Sequence, residues 1–300
     1  MIKAYKVAGH VFRLELPDGS VLWEKLTQYL PFEITVDGSP LFSLKLVHSL
    51  PQEPKETVYD VPPEPGEAVL KLYSTPSGYL VEMAPNDRFP VCGMMRMDRK
   101  FHEGELCLCG KTVSDAVFCI NNSLMLLYAF ATAKLGTLEM HASVIMNSGR
   151  GFLFLAKSGT GKSTHSSLWL KHIPGSVLLN DDNPVVRVWP DGRIIVYGTP
   201  WSGKTPCYKN LECPVGAFVR IRRCAENRIT PLSVVESYAL LYSSCSGLKS
   251  DPEMGDGLHE SLEAAALNVP SYVLDCRPDE EAARVSSAEL LKDGETDTAQ

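Results

Sequence analysis

The sequence predicts an α/β fold with α+β character: a smaller β-rich module over residues 1–115, then a phosphate-loop domain over residues 116–290. Three observations point there. The first hundred or so residues alternate short apolar runs with turn signals. Near residue 116 the apolar spacing becomes that of a helix. Beyond it, the apolar run 152–155 breaks into a glycine-containing loop and a helix-forming segment, the strand–loop–helix context in which backbone amides cradle phosphate.

In the first module, residues 11–16 read as a strand ended by Pro17-Asp18-Gly19, and residues 32–36 as a second ended by Asp37-Gly38. Residues 69–73 and 79–83 flank Thr75-Pro76-Ser77-Gly78 as a hairpin. The Pro/Glu-rich stretch 51–67 reads as a loop or surface excursion. The module holds no catalytic constellation, so a structural or substrate-recruiting role is expected of it.

From 116 to 135, Val117, Ile120, Leu124, Leu127, Phe130 and Ala131 share one helical face. His141 opens a strand that turns at residues 147–151 into the loop strand. The helix after Lys162 carries Leu168, Trp169 and Leu170 and stops before Pro174-Gly175. A buried strand at 177–179 runs into Asn180-Asp181-Asp182. Residues 185–189 and 194–197 form a second hairpin, 217–222 a strand and 234–243 a helix, while 291–300 read as a disordered tail.

A chain of 300 residues with 44% hydrophobic and 22% charged content reads as globular, and a net charge of −7 offers no general attraction for nucleic acid or an anionic membrane. The amino terminus lacks the apolar core of a signal peptide, and the greasiest window, 124–133, is too short to span a bilayer; a cytoplasmic location is expected. The nine cysteines include no C-x-x-C pair. Cys107 and Cys109 would point to opposite faces of a strand, which suits neither a metal nor a disulfide, so free thiols are expected.

The chemistry concentrates in residues 156–164. Gly159 and Gly161 let the backbone curl until its N–H groups face phosphate oxygens. Ser158, Gly159, Thr160, Gly161, Lys162, Ser163 and Thr164 are therefore the candidate binders of a nucleoside triphosphate with Mg²⁺. Lys162, read as an exposed loop lysine, supplies charge to the β- and γ-phosphates; Ser163 offers a hydroxyl to the metal; the helix N-terminus faces the anion. One departure is Ala156, which stands where G-x-x-x-x-G-K-[ST] has its first glycine.

Asp181 and Asp182 end a strand soon after that helix, where a Mg²⁺–phosphate complex needs carboxylates. One can hold the metal and the other accept a hydroxyl proton, with the assignment left open; the alternative is an Asp-Asp turn. His141 comes near the γ-phosphate if its strand pairs beside the loop strand, and is otherwise a structural histidine at a strand end. Residues 198–204 carry two glycines, Trp201 and Lys204, ingredients of an acceptor-facing loop in which Lys204 meets anions and Trp201 packs on the substrate. The alternative there is a packed turn with the tryptophan in the core. Arg220, Arg222 and Arg223 lie on or after a strand and either reach phosphate or sit in solvent.

Ala156-Lys157-Ser158-Gly159-Thr160-Gly161-Lys162-Ser163, with His141 upstream and Asp181-Asp182 downstream, resembles the catalytic domain of HPr serine kinase/phosphorylase. More loosely it is similar to phosphoenolpyruvate carboxykinase. The resemblance covers roughly residues 116–290 and implies a mixed, strongly twisted sheet with flanking helices, ATP and Mg²⁺ on the loop, paired acids for metal and proton transfer, and the histidine close to the phosphates. The Glu-Ile-Arg-Gly signature, which the family ties to recognition of HPr and to hexamers, is absent, and residues 198–204 take its place. The expected function is a Mg-ATP-dependent kinase acting on a serine-like hydroxyl of a peptide, protein or small molecule, with Asp181, Asp182, His141 and Lys162 as its catalytic set. The competing reading is a nucleotide-binding regulatory or carrier module without transfer. A homo-oligomer is left open.

Overall fold

A computed structural model describes residues 1–35, 38–62, 67–203 and 205–292; Val36, Asp37, Lys204 and the tail from residue 293 onward lie outside the described residues. The chain is mixed α/β and divides into two compact units, Met1–Ala133 and Lys134–Gln300.

The first unit holds β1 (Ile2–Val7), β2 (His10–Glu15), β3 (Glu33–Ile34), β4 (Phe42–Val47), β5 (Glu56–Tyr59), β6 (Val69–Thr75), β7 (Gly78–Ala84), β8 (Gly93–Asp98), β9 (Glu103–Leu108) and α1 (Val113–Thr132). Among the described residues these strands form one sheet in the order β3-β1-β2-β4-β9-β8-β7-β6-β5, with β4 parallel to both β2 and β9. The hairpin expected around residues 75–78 is β6–β7, antiparallel from Val69↔Ala84 to Thr75↔Gly78. Within the stretch 51–67, expected as a loop or surface excursion, Glu56–Tyr59 form the edge strand β5, paired to β6 across a register shift, and residues 63–66 lie outside the described residues.

Helix α1 moves the boundary between the units from residue 115 to residue 133. It starts at a capping box, with Thr112 Oγ1 accepting from Asp115 N at 3.0 Å and Asp115 Oδ2 accepting from Thr112 N at 3.1 Å. Its buried side chains, Cys119, Ile120, Leu124, Leu127 and Tyr128 among them, pack on the sheet of the first unit, and Tyr128 Oη donates to Val7 O at 3.0 Å. An apolar helix joins whichever sheet it covers, and sequence spacing alone does not say which. The window 124–133, expected to be too short for a bilayer, lies in this helix up to Thr132; among the described residues the whole helix is long and apolar enough to cross a membrane, and half of its apolar window is buried inside the protein.

The second unit contains β10 (Thr137–Glu139), β11 (Ala142–Asn147), β12 (Arg150–Leu155), α2 (Lys162–His172), β13 (Val177–Asp182), β14 (Val185–Val188), β15 (Ile194–Tyr197), β16 (Glu212–Arg223), β17 (Arg228–Pro231), α3 (Val234–Ser244), α4 (Pro252–Asn268), β18 (Ser271–Cys276) and α5 (Glu280–Leu290). Its strands run β10-β14-β15-β16-β12-β11-β13, with β18 on β16 and β17 on β18. This sheet is also mixed. The amino-terminal part of β16 pairs antiparallel with β15, and its carboxyl part lies parallel between β12 and β18. Helices α2 and α5 cover one face through Trp169, Ala282 and Ala283, against Phe152, Phe154, Val219 and Leu274. Leu291, expected in a disordered tail, packs against that same core.

Candidate functional site

The register of three strands decides where the site forms. Strand β11 lies between β12 and β13, both antiparallel to it, and Ala142 pairs with Leu155 on one side and Asp182 on the other. His141, one residue earlier, therefore stands between the start of the glycine loop and the acid pair. A buried 2.6 Å hydrogen bond between the hydroxyls of Ser143 and Ser166 ties β11 to α2. His141 N also donates to Ser244 O at 2.8 Å.

The loop turns through two glycines at positive φ, Gly159 at 71° and Gly161 at 128°. A Cβ at either would meet no atom within 4 Å, so backbone conformation and not space calls for glycine there. Gly161 caps α2, whose first residue is Lys162, so the loop amides and the helix N-terminus point toward one region. Arg223, at the end of β16, donates from Nε to Thr160 O at 3.0 Å and from Nη2 to Gly159 O, holding the loop by its carbonyls. Of the three arginines, Arg222 instead pairs with Asp275 at 2.7 Å.

Lys162 is only 8% exposed, which corrects the reading of an exposed loop lysine. Its Nζ donates to Ala156 O at 3.0 Å and lies 2.6 Å from His141 Nε2. An ammonium group has donors only, so Nε2 is the acceptor and the ring proton sits on Nδ1. That atom faces Asp182 Oδ1 at 3.2 Å. Lys162, His141 and Asp182 thus form one polar chain. The neighbouring acid takes a different partner: Ser163 Oγ donates to Asp181 Oδ1 at 2.9 Å. Asp181 is buried, while the side chains of Asp182 and His141 are more than one-third exposed.

Asp182 carries a φ of +140°, a conformation that side-chain-bearing residues rarely adopt. Residues 198–203 hold it there. Ser202 bridges to Asp182 through the backbone, Ser202 Oγ donates to Asp181 O at 3.1 Å, and Gly203 N donates to the same carbonyl. A Cβ at Gly203 would come within 3.1 Å of Asp182 Cβ and Cγ. Beneath, Asn180 Nδ2 donates to Thr199 Oγ1 at 3.0 Å and to Trp201 O at 3.2 Å.

This corrects the expected role of Trp201. Its ring is 4% exposed, so it belongs to the support of the acid pair and not to an acceptor surface. The expected acceptor contact Lys204 lies outside the described residues.

Sequence reasoning missed Glu139. Its side chain is 1% exposed, and neither carboxyl oxygen has a hydrogen-bond partner among the described residues. Burial first, and the negative charge of Asp182 second, hold its pKa well above the usual glutamate value. The only available signal was a lone acid between Leu138 and Met140, two residues before His141. His165, one turn into α2, is buried as well, and burial pushes its pKa down to about 4.

Among the described residues no cluster of three or more His, Cys, Asp or Glu side chains could hold a metal by itself. Mg²⁺ on a nucleotide does not require one, because phosphate and water supply most of its oxygens. Ser163 and Asp181 bring two hard oxygen donors together at the loop mouth, which fits that role.

No family model matches the chain, and no curated protein matches it. Among solved structures it is similar to the HPr(Ser) kinase/phosphatase from Coxiella burnetii, at 11% sequence identity and a TM-score of 0.32, over 51% of this chain and 91% of that one.

Proposed function

We propose that the second unit binds a nucleoside triphosphate, ATP, with Mg²⁺ on residues 156–164 and transfers its γ-phosphoryl group to a hydroxyl of a small molecule, peptide or protein. The observation that carries this reading is the division of the acid pair: Asp181 lies on the Ser163 hydroxyl, and Asp182 on the His141 ring that contacts Lys162. Mg²⁺ would be held by Ser163 and Asp181 and would neutralise charge on the phosphate oxygens. Lys162 would supply the second positive charge. In the transfer, the acceptor oxygen bonds to the γ-phosphorus, the bond to the β–γ bridging oxygen breaks, and the hydroxyl proton passes to the Asp182 carboxylate. His141 orients that carboxylate through Nδ1–H.

A module that only bound nucleotide would need the loop. It would have no use for a strained, half-exposed Asp182 beside it, and strain of about 1–3 kcal/mol is retained where a site uses it. Because Lys162 is buried, the test is Lys162→Met, which keeps the apolar stem. It should weaken Mg-ATP binding at least tenfold by calorimetry, since a charge-assisted hydrogen bond is worth about 1.5–3 kcal/mol. Thermal unfolding serves as the folding control. Equal affinity in a folded variant removes this loop as the nucleotide site. Transfer itself is read with γ-labelled ATP against hydroxyl-bearing small molecules and peptides.

A further inference from the structure

A cavity of about 430 Å³ lies against the phosphate loop, lined by Thr160, Gly161 and Thr164 and by the ends of β16 and β18. Strands β12, β16 and β18 are mutually parallel neighbours, so this is the carboxyl end of the parallel part of the sheet, the edge at which open α/β sheets bind ligands. None of the acid-pair residues lines it. Its volume falls within the range of small-molecule pockets, about 300–1,000 Å³.

The lining is two-sided. Leu168, Ile221, Cys276 and Pro278 form apolar walls, while Arg223 and Arg277 bring guanidinium groups. Arg223 stands at the seam, since it lines the cavity and also holds the loop carbonyls. Arg277 is fixed by ion pairs to Asp279 at 2.8 Å and Glu281 at 2.7 Å, which leaves a planar, oriented group suited to stacking on a ring. The lining side chains include no carboxylate to repel a phosphate chain. His165 also lines the cavity. Its Nε2 is engaged by Trp169 Nε1 and Ser286 Oγ, whereas its Nδ1, fully buried, has no hydrogen-bond partner among the described residues. A buried polar atom without a partner is costly unless something else satisfies it.

Resting on the phosphate-loop reading above, we infer that this cavity receives the nucleoside, base and ribose, of the nucleotide whose phosphates lie on residues 156–164. The apolar walls take the faces of the base, Arg277 stacks on it, and Arg223 supplies charge where the nucleoside joins the phosphate chain. The nucleoside and the acid pair then lie toward different ends of the loop, which leaves the γ-phosphate end open to an acceptor.

Cys224 provides the probe. It lines the cavity and is exposed, as is Cys109 in the other unit, which serves as the reference thiol. Saturating Mg-ATP should slow iodoacetamide labelling of Cys224 at least fivefold by peptide mass spectrometry and leave Cys109 unchanged. Saturating inorganic tripolyphosphate with Mg²⁺ should protect neither. By calorimetry, ATP should bind at least tenfold more tightly than tripolyphosphate, and Cys224→Trp, which fills an exposed edge of the cavity, should erase that difference. ATP binding that leaves Cys224 unprotected, or ATP and tripolyphosphate of equal affinity, overturns this inference alone. Failure of both ligands to bind overturns the phosphate-loop reading and this inference with it.

Discussion

His165 makes the second unit sensitive to acid by an amount that the structure sets. Its ring is 2% exposed, packs edge-on against Phe154 at 4.6 Å and contacts Trp169 Nε1 at 3.1 Å. Burial lowers its pKa from 6.5 to about 4. The unfolded chain therefore binds a proton more readily than the folded one between those values. The stability gained by keeping the ring neutral is complete above pH 6.5 and is lost as pH falls toward 4. At about 1.4 kcal/mol per unit, acidification from about pH 7.5 to about pH 4.5 removes about 2.5 kcal/mol through this group alone. Other groups titrate over the same range, so the assay is a double difference. Urea unfolding of wild type and His165→Gln, followed by tryptophan fluorescence, is measured at both pH values. The substitution lowers stability at neutral pH by losing the ring's packing against Phe154, but it should also make the loss on acidification smaller by about 2.5 kcal/mol. Equal losses in the two proteins would refute the assignment of a neutral, buried His165.

The remaining expectations concern carboxyl groups. Asp182→Asn should leave Mg-ATP affinity within about twofold by calorimetry and lower phosphoryl transfer by about a hundredfold or more, the scale of a lost acid–base group. Asp181→Asn should instead weaken the Mg²⁺-dependent part of nucleotide binding, seen as a smaller affinity difference between titrations with Mg²⁺ and with EDTA. Normal turnover in both variants would make the pair structural. Glu139 lies beside Asp182 and Cys245, with Lys249 beyond Cys245, and its folded pKa is raised, so its burial costs stability that grows as pH rises above the unfolded glutamate value of 4.5. Glu139→Gln should therefore raise the melting temperature at about pH 8, and the gain should shrink toward about pH 4.5 in scanning calorimetry. A gain independent of pH would contradict a raised pKa.

What the sequence made legible is what depends on neighbours along the chain. The glycine loop, the helix after it and the two acids at the end of β13 follow from local spacing. His141 was locatable because its strand forms a hairpin with the loop strand. Most of the misses depend on contacts distant in sequence; one, helix α4, has a local cause. The membership of α1 in the first unit is decided by which sheet it covers. Residues 56–59 of the Pro/Glu-rich stretch become β5 because β6 offers them an edge. Helix α4 keeps Gly255 and Gly257 in its interior, two helix-weakening residues that masked it from pattern reading. Neither the burial of Glu139 beside Asp182 nor the reach of Arg223 to the loop carbonyls leaves a trace in spacing.

The acid pair shows how one local fact and one distant fact combine. Adjacent residues on a strand point to opposite faces, so Asp181 and Asp182 in regular β conformation could not both serve one region. Here both do, because the φ of +140° at Asp182 breaks the alternation: Asp181 keeps Ser163, and Asp182 turns to His141. Such a backbone persists only if its surroundings over-determine it. Those surroundings are Asn180, Thr199 and the buried Trp201 below, with Ser202 and Gly203 above. The loop that its composition suggested for gripping a substrate therefore acts one step earlier. Its tryptophan and glycine hold the carboxylate that, in the proposed transfer, takes the acceptor's proton.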